Sequence, residues 1–217
     1  MSDVRLVILD CDGVLVDSEI ITNRVFAQML GEFGLHFTLE EMFERFVGRS
    51  MTQCCEIIAG LLQRPVPESF VEQFHARATA ALNAELKAVS GIEACLDEFD
   101  ARAMPYCVAS NGTREKMRLT LSHTGLLRRF EGRRFSVDEV ARGKPAPDLF
   151  LYAARACGVM PAQCCVIEDT PTGVVAGVAA GMRVYGYRAL MPAHRLMEAG
   201  AHRTFADMRE LPALILD

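Results

Sequence analysis

Asp10 and Asp12 stand one residue apart where an apolar run, residues 4–9, ends, and Gly13 follows them. Like charges this close raise each other's cost of ionisation unless a cation or a proton separates them, so the pair suits a divalent metal, acid/base work or both. Further groups stand at comparable places: Ser110-Asn111-Gly112 closes the apolar run 106–109, Glu168-Asp169 closes the run 164–167, and Lys144 precedes Pro145 in a loop. Taken singly, each has an ordinary explanation as a surface acid pair, a turn, a helix cap or a solvated lysine. Brought together, they ask for one chemistry. Oxygen ligands alone suit a hard cation, and Mg²⁺ is usually held by one or two carboxylates with substrate phosphate and water. Ser110 and Asn111 can donate hydrogen bonds to phosphoryl oxygens, and Lys144 supplies a point charge for the same group. An aspartate can be the nucleophile, and a second carboxylate two residues on is placed to protonate the leaving oxygen and later activate water. The set reads as a phosphoryl site.

That chemistry requires a scaffold on which the apolar runs end side by side. In an open parallel α/β sheet, ligands bind in the crevice beyond the carboxyl ends of the strands, and Gly13 lets the chain turn there without a side chain in the way. Apolar spacing predicts a helix over 18–33 closed by Gly34, with Phe26, Met29, Leu30 and Phe33 as packing residues. Helices follow from the N-cap Thr38 to Val47, from the N-cap Ser50 to Leu62, and from Val66 or Pro67 to about Leu86. No strand separates these helices, so they form an insertion. From Gly91 onward helix and strand alternate: helices over 92–102, 114–123, 148–157 and 170–181, and strands at 106–109, 134–136, 164–167 and 183–187. This pattern predicts an α/β fold, a doubly wound, Rossmann-like parallel sheet formed by 1–17 and 89–217, with an inserted α-helical cap over 18–88.

The chain length of 217 residues suits a main domain with a smaller insertion. An apolar content of 51% with 24% charged residues is that of a folded globular protein. A formal net charge of −5 opposes extended contact with nucleic-acid phosphates or an anionic membrane, but a local basic pocket still admits a small anionic substrate. The opening apolar run is too short for a signal-peptide core, and no later stretch reaches membrane length. The eight cysteines include no Cys-X-X-Cys, so neither zinc nor redox chemistry is signalled, and reduced thiols are expected. Cys11 lies between the two aspartates, whose charge should keep it a thiol rather than a nucleophile. The expectation is a cytoplasmic protein whose partner is a small phosphorylated metabolite, with no nucleic acid and no membrane; the oligomeric state is left open, a monomer being sufficient.

With these motifs in this order, from about residue 4 to 187, the chain resembles the haloacid dehalogenase-like hydrolases, in the group whose helical cap follows the first motif. The resemblance implies that Asp10 accepts the phosphoryl group, that Asp12 is the general acid/base, that Ser110 binds the phosphoryl group and that Lys144 neutralises the intermediate. It implies Mg²⁺ held by Asp10, Glu168, Asp169 and the backbone carbonyl of Asp12. Asp17-Ser18 is similar to the hinge into the cap, and Gly173 to the glycine of the fourth motif. Dehalogenase members lack the second aspartate, so Asp12 points to phosphate chemistry.

Within the family, phosphomutases similar to β-phosphoglucomutase share the core motifs. They carry a histidine where this chain has Thr22, and their cap arginine follows Gly-Val-Ser, whereas this chain reads Gly48-Arg49-Ser50-Met51. Both departures favour a phosphatase. The texture of residues 12–19 and 106–116 is similar to bacterial phosphatases of small sugar phosphates, 6-phosphogluconate phosphatases among them. Specificity is expected in the cap, with Arg49 as the leading substrate contact for a carboxylate or second phosphate. His36 and His75 are read as ordinary surface or core residues. Low activity on nucleotides is expected, because the cap lacks stacking aromatics apart from Phe. A phosphoacceptor receiver module also gathers an Asp, an acidic pair, a hydroxyl and a Lys. Its acidic pair follows the first strand, however, and it has neither the insertion nor an Asp two residues beyond the acceptor.

Overall fold

The computed structural model describes residues 4–49 and 51–216. In chain order, β1 (Leu6–Leu9) is followed by helices α1 (Ser18–Gly31), α2 (Leu39–Arg45), α3 (Met51–Leu62) and α4 (Phe70–Glu85). Then come α5 (Ile92–Ala101), β2 (Tyr106–Ser110), α6 (Arg114–His123), β3 (Arg134–Ser136), α7 (Asp148–Ala156), β4 (Cys164–Glu168) and α8 (Pro171–Ala179). The chain continues through β5 (Arg183–Tyr187), α9 (Ala193–Glu198) and β6 (Arg203–Phe205) to α10 (Leu211–Leu216). It divides into two compact units, Met1–Asp17 with Lys87–Asp217, and Ser18–Leu86.

The first unit is built on one parallel sheet of order β3-β2-β1-β4-β5-β6. β1, β2 and β4 are buried along their whole lengths, so their unbroken apolar runs are those of strands covered on both faces. The strand order reverses at β1: β2 and β3 lie on one side of it, β4, β5 and β6 on the other. A doubly wound sheet opens its ligand crevice at this switch point, beyond the carboxyl ends of β1 and its neighbours. Where the chain leaves this unit and returns to it, it is tied together. Asp17 N–H donates to the Lys87 carbonyl at 3.0 Å, Lys87 N–H to Asp17 Oδ1 at 2.8 Å, and Val89 N–H to the Leu15 carbonyl at 3.0 Å. Lys87 and Ala88 belong to the α/β unit for this reason, so the helical unit ends two residues earlier than the sequence suggests.

The second unit packs its helices around Val25, Phe26, Met29, Leu30, Met42, Phe46, Cys54, Ile58 and Phe70. Phe26 is the hub, its ring 5.2 Å from Phe46 and 5.0 Å from Phe74. Thr38 caps α2 through a reciprocal pair with Glu41, as its sequence position predicts. Ser50, the expected cap of α3, lies outside the described residues. α4 begins at Phe70 rather than at 66 or 67 because Pro65 and Pro67 bias the residues before them away from helix, and Phe70 N–H closes a turn on the Pro67 carbonyl.

Candidate active site

The first strand does not stop at Leu9. Asp10 N–H donates to the Ile167 carbonyl at 3.0 Å, so the backbone of Asp10 is still held by β4. The chain then coils tightly, with Leu15 and Val16 N–H donating to the Cys11 carbonyl and Gly13 N–H to the Val16 carbonyl. Gly13 has φ +77°, and a Cβ there would fall 1.9 Å from Asp169 Oδ2. Only glycine both makes this turn and lets the Asp169 carboxylate lie against it.

Asp10, Glu168 and Asp169, all buried, bring one carboxylate oxygen each to within 4.8 Å of the others. Lys144 enters this acid from the loop before α7, its side chain 4% exposed. Its ammonium donates to Asp10 Oδ1 at 2.5 Å, Glu168 Oε1 at 2.7 Å and the Ala109 carbonyl at 2.9 Å, and lies 4.7 Å from the Phe150 ring centre. The other Glu168 oxygen accepts from Thr170 Oγ1 at 3.0 Å. Thr170, not an acid, caps α8, accepting from Gly173 N–H, so Glu168 and Asp169 are not spent as helix caps. Burial pushes the Asp10 carboxyl up to about 7, with Glu168 and Asp12 adding repulsion and Lys144 opposing both. Desolvation disfavours the Lys144 ammonium, yet the Asp10 and Glu168 charges outweigh it and hold the lysine protonated. Three buried acids thus gather around one another, two of them sharing the Lys144 ammonium. An all-oxygen set of this kind fits a divalent cation, and the glycines at 13 and 173 leave the acids the room they need.

Ser110, 2% exposed at the end of β2, accepts from Gly112 N–H at 3.0 Å, which leaves its hydroxyl proton to donate elsewhere. Asn111, read from the sequence as a phosphoryl donor, also has its amide on the lysine loop. Its Oδ1 accepts from Lys144 N–H at 2.9 Å and its Nδ2 donates to the Lys144 carbonyl at 3.1 Å. The reciprocal pair makes Asn111 a clamp on Lys144. The Asp12 carboxylate stands apart from the three-acid cluster: its Oδ2 accepts from Lys116 Nζ at 2.8 Å. Arg49 belongs to the helical unit, where it is exposed and donates from Nε to the Arg45 carbonyl at 2.7 Å. Cys11 is buried, and burial ahead of the flanking charges pushes its thiol up, so it stays protonated.

Sequence reasoning missed Lys116, Thr170 and the clamping role of Asn111. Lys116 had a readable signal, a cation in the first turn of a helix that starts just beyond Ser110.

A doubly wound sheet whose switch point gathers an aspartate nucleophile candidate, a hydroxyl, a buried lysine and an acid cluster defines a class of phosphoryl-group enzymes. Residues 4–181 carry the signature of the haloacid dehalogenase-like hydrolases, and the chain belongs to that family. It is 34% identical to the 6-phosphogluconate phosphatase of Escherichia coli strain K12, over 99% of this chain and 96% of the relative. Hexitol phosphatase A of the same organism is 29% identical over 88% of this chain and 86% of its own. A haloacid dehalogenase-like protein from Agrobacterium tumefaciens superposes with a TM-score of 0.92 at 34% identity, covering 98% of each chain. A family hydrolase from Deinococcus radiodurans R1, solved with bound phosphate and sodium, gives 0.87 at 32% identity over 99% and 96%. The chain is an enzyme, a phosphoric monoester hydrolase of this family. Among its described residues no helix is long and apolar enough to cross a membrane.

Proposed function

We propose that the enzyme is a Mg²⁺-dependent phosphatase that hydrolyses a small sugar or sugar-acid phosphate through a phospho-Asp10 intermediate. The observation that carries this reading is the Lys144 ammonium bridging Asp10 and Glu168 at the carboxyl ends of β1 and β4, with Ser110 at the end of β2. Asp10, Glu168, Asp169 and the Asp12 backbone carbonyl would hold Mg²⁺, which when bound offsets charge on the phosphoryl oxygens.

Lys144 orients the Asp10 carboxylate and favours its ionised form against the burial that raises it, while Ser110 donates to a phosphoryl oxygen. As the Asp10 oxygen–phosphorus bond forms and the ester bond breaks, the Asp12 carboxyl proton passes to the leaving oxygen. In the second half, the Asp12 carboxylate takes a proton from water as the water oxygen attacks phosphorus and the Asp10–phosphorus link breaks. Arg49 is the proposed contact from the helical unit to an anionic part of the leaving group.

The phosphomutase alternative finds no support at Thr22, whose hydroxyl is turned onto its own helix and donates to the Ser18 and Glu19 carbonyls. Turnover of a panel of sugar, sugar-acid and nucleotide monophosphates with Mg²⁺ tests the substrate class, with free phosphate as the product and nucleotides as the poorest members. Asp10→Asn tests the mechanism, because it keeps the shape and removes the anionic nucleophile. Loss of at least about 10³-fold in kcat is expected. Retained activity in the purified variant overturns the phospho-aspartyl route.

A further inference from the structure

Lys116 breaks a local rule and is compensated from far along the chain. It is the third residue of α6, and Thr113 fixes its backbone there by accepting from Lys116 N–H at 3.2 Å. Cations are disfavoured in the first turn of a helix, where the backbone dipole is positive. A residue that violates local preference and finds its partner elsewhere is a mark of a functional position. The partner is Asp12, with Lys116 Nζ 2.8 Å from Oδ2 across 104 positions of sequence. Gly112 marks the route between them: an added Cβ would lie 3.4 Å from Lys116 Cδ, 3.3 Å from Ser110 Oγ and 3.8 Å from Asp12 Oδ2. Lys116 therefore reaches Asp12 across bare glycine backbone, at the spot where the Ser110 hydroxyl also converges.

We propose that Lys116 is the positioning residue of Asp12: it anchors Oδ2 and so sets the side-chain orientation from which Asp12 passes its proton to the leaving oxygen. The proposal rests on the reading of Asp12 as general acid/base. Lys144 cannot do this work, because its ammonium is committed to Asp10, Glu168 and the Ala109 carbonyl on the buried side. The two lysines thus divide the two aspartates between them, one each.

The test uses leaving groups of unequal need. 4-Nitrophenolate departs without a proton, whereas the alkoxide of a sugar phosphate requires one, so kcat/KM for the two esters separates proton donation from everything else. For Lys116→Met, kcat/KM on the best sugar or sugar-acid phosphate of the panel is expected to fall about 10- to 100-fold, and on 4-nitrophenyl phosphate less than about 3-fold. Lys116→Arg, which keeps a cation at similar reach, should recover most of the loss. The side chain is 48% exposed, so folding is not at stake, and thermal melts should coincide. Equal falls on both esters indicate a structural role and overturn the proposal, as does an unchanged kcat/KM on the sugar ester. Asp12→Asn must show the same leaving-group selectivity. If it does not, the general-acid reading of Asp12 fails, and the proposal for Lys116 falls with it.

Discussion

Gly173→Ala sets two structural arguments against each other, and their magnitudes decide the sign. Gly173 is the third residue of α8 and its φ is not in the left-handed region, so helix propensity alone has alanine stabilising by up to about 1 kcal/mol. The Cβ, however, would stand 1.8 Å from Glu168 Cδ and 1.9 Å from Oε1. Ordinary contact between carbons begins near 3.5 Å, so the carboxylate must retreat by about 1.5–2 Å. Glu168 is 1% exposed, and a retreat of that size breaks its bonds from Lys144 at 2.7 Å and Thr170 Oγ1 at 3.0 Å with no water to replace them. A hydrogen bond to a charged group contributes about 1.5–3 kcal/mol, so losing both outweighs the gain and leaves a net cost of about 2–5 kcal/mol. Urea unfolding in EDTA measures it as a fall in midpoint at unchanged slope. A second series in Mg²⁺ reads the acid cluster itself: the wild-type unfolding free energy should rise by about 2.7 kcal/mol at a hundredfold excess over Kd, and the variant should lose most of that gain. A variant as stable as the wild type in EDTA, or more so, refutes the close approach of Glu168 to the helix.

Asn111→Ala removes both hydrogen bonds that clamp the Lys144 backbone while leaving the ammonium in place. A fall in kcat of about tenfold with little change in Tm is expected, and unchanged kcat shows that the clamp positions nothing. Cys157, half-buried at the end of α7, is drawn below the usual thiol range by the neighbouring Cys107 thiol and by Arg133 against the pull of its own burial, whereas burial raises Cys55. The thiolate fraction grows as pH rises through the pKa, so iodoacetamide at pH 7 should label Cys157 faster than Cys55, and Cys107→Ala should slow it. Mass spectrometry of the labelled peptides decides the order, and faster labelling of Cys55 refutes it.

The elements that place the acids were legible because their signals are strong. Unbroken apolar runs predict β1, β2 and β4, the first and last of them ending in acid and β2 in Ser110-Asn111, and β3 and β5 fall on the expected residues. β6 leaves no signal in the sequence. Arg203–Phe205 is a three-residue strand with an exposed first residue, too short to show a period, and it forms because β5 offers an open edge. Asn111 was assigned to the phosphate because an amide beside the binding serine can donate there. What composition cannot show is that the lysine loop passes close enough to take both ends of that amide. Lys116 escaped for a related reason: the sequence suggests only that a cation is misplaced in its helix, and its partner lies at the far end of a long-range contact.

The Asp-X-Asp pair shows how one loop separates two like charges into two environments. Asp10 remains in register with β4 through its N–H and faces a buried lysine. The chain turns at Gly13, directly after Asp12, and Asp12 meets a lysine that is 48% exposed. A pair removed from water holds its geometry strongly, because breaking it strands a buried charge, whereas a half-exposed pair is weak and readily remade. The strong pair sits where the proposed chemistry needs a fixed nucleophile. The weak one sits on the carboxylate that, in the proposed mechanism, gives up a proton and regains it in each turnover. On this reading, exchanging the two environments would disable both acids, which is why the turn at Gly13 matters as much as the carboxylates beside it.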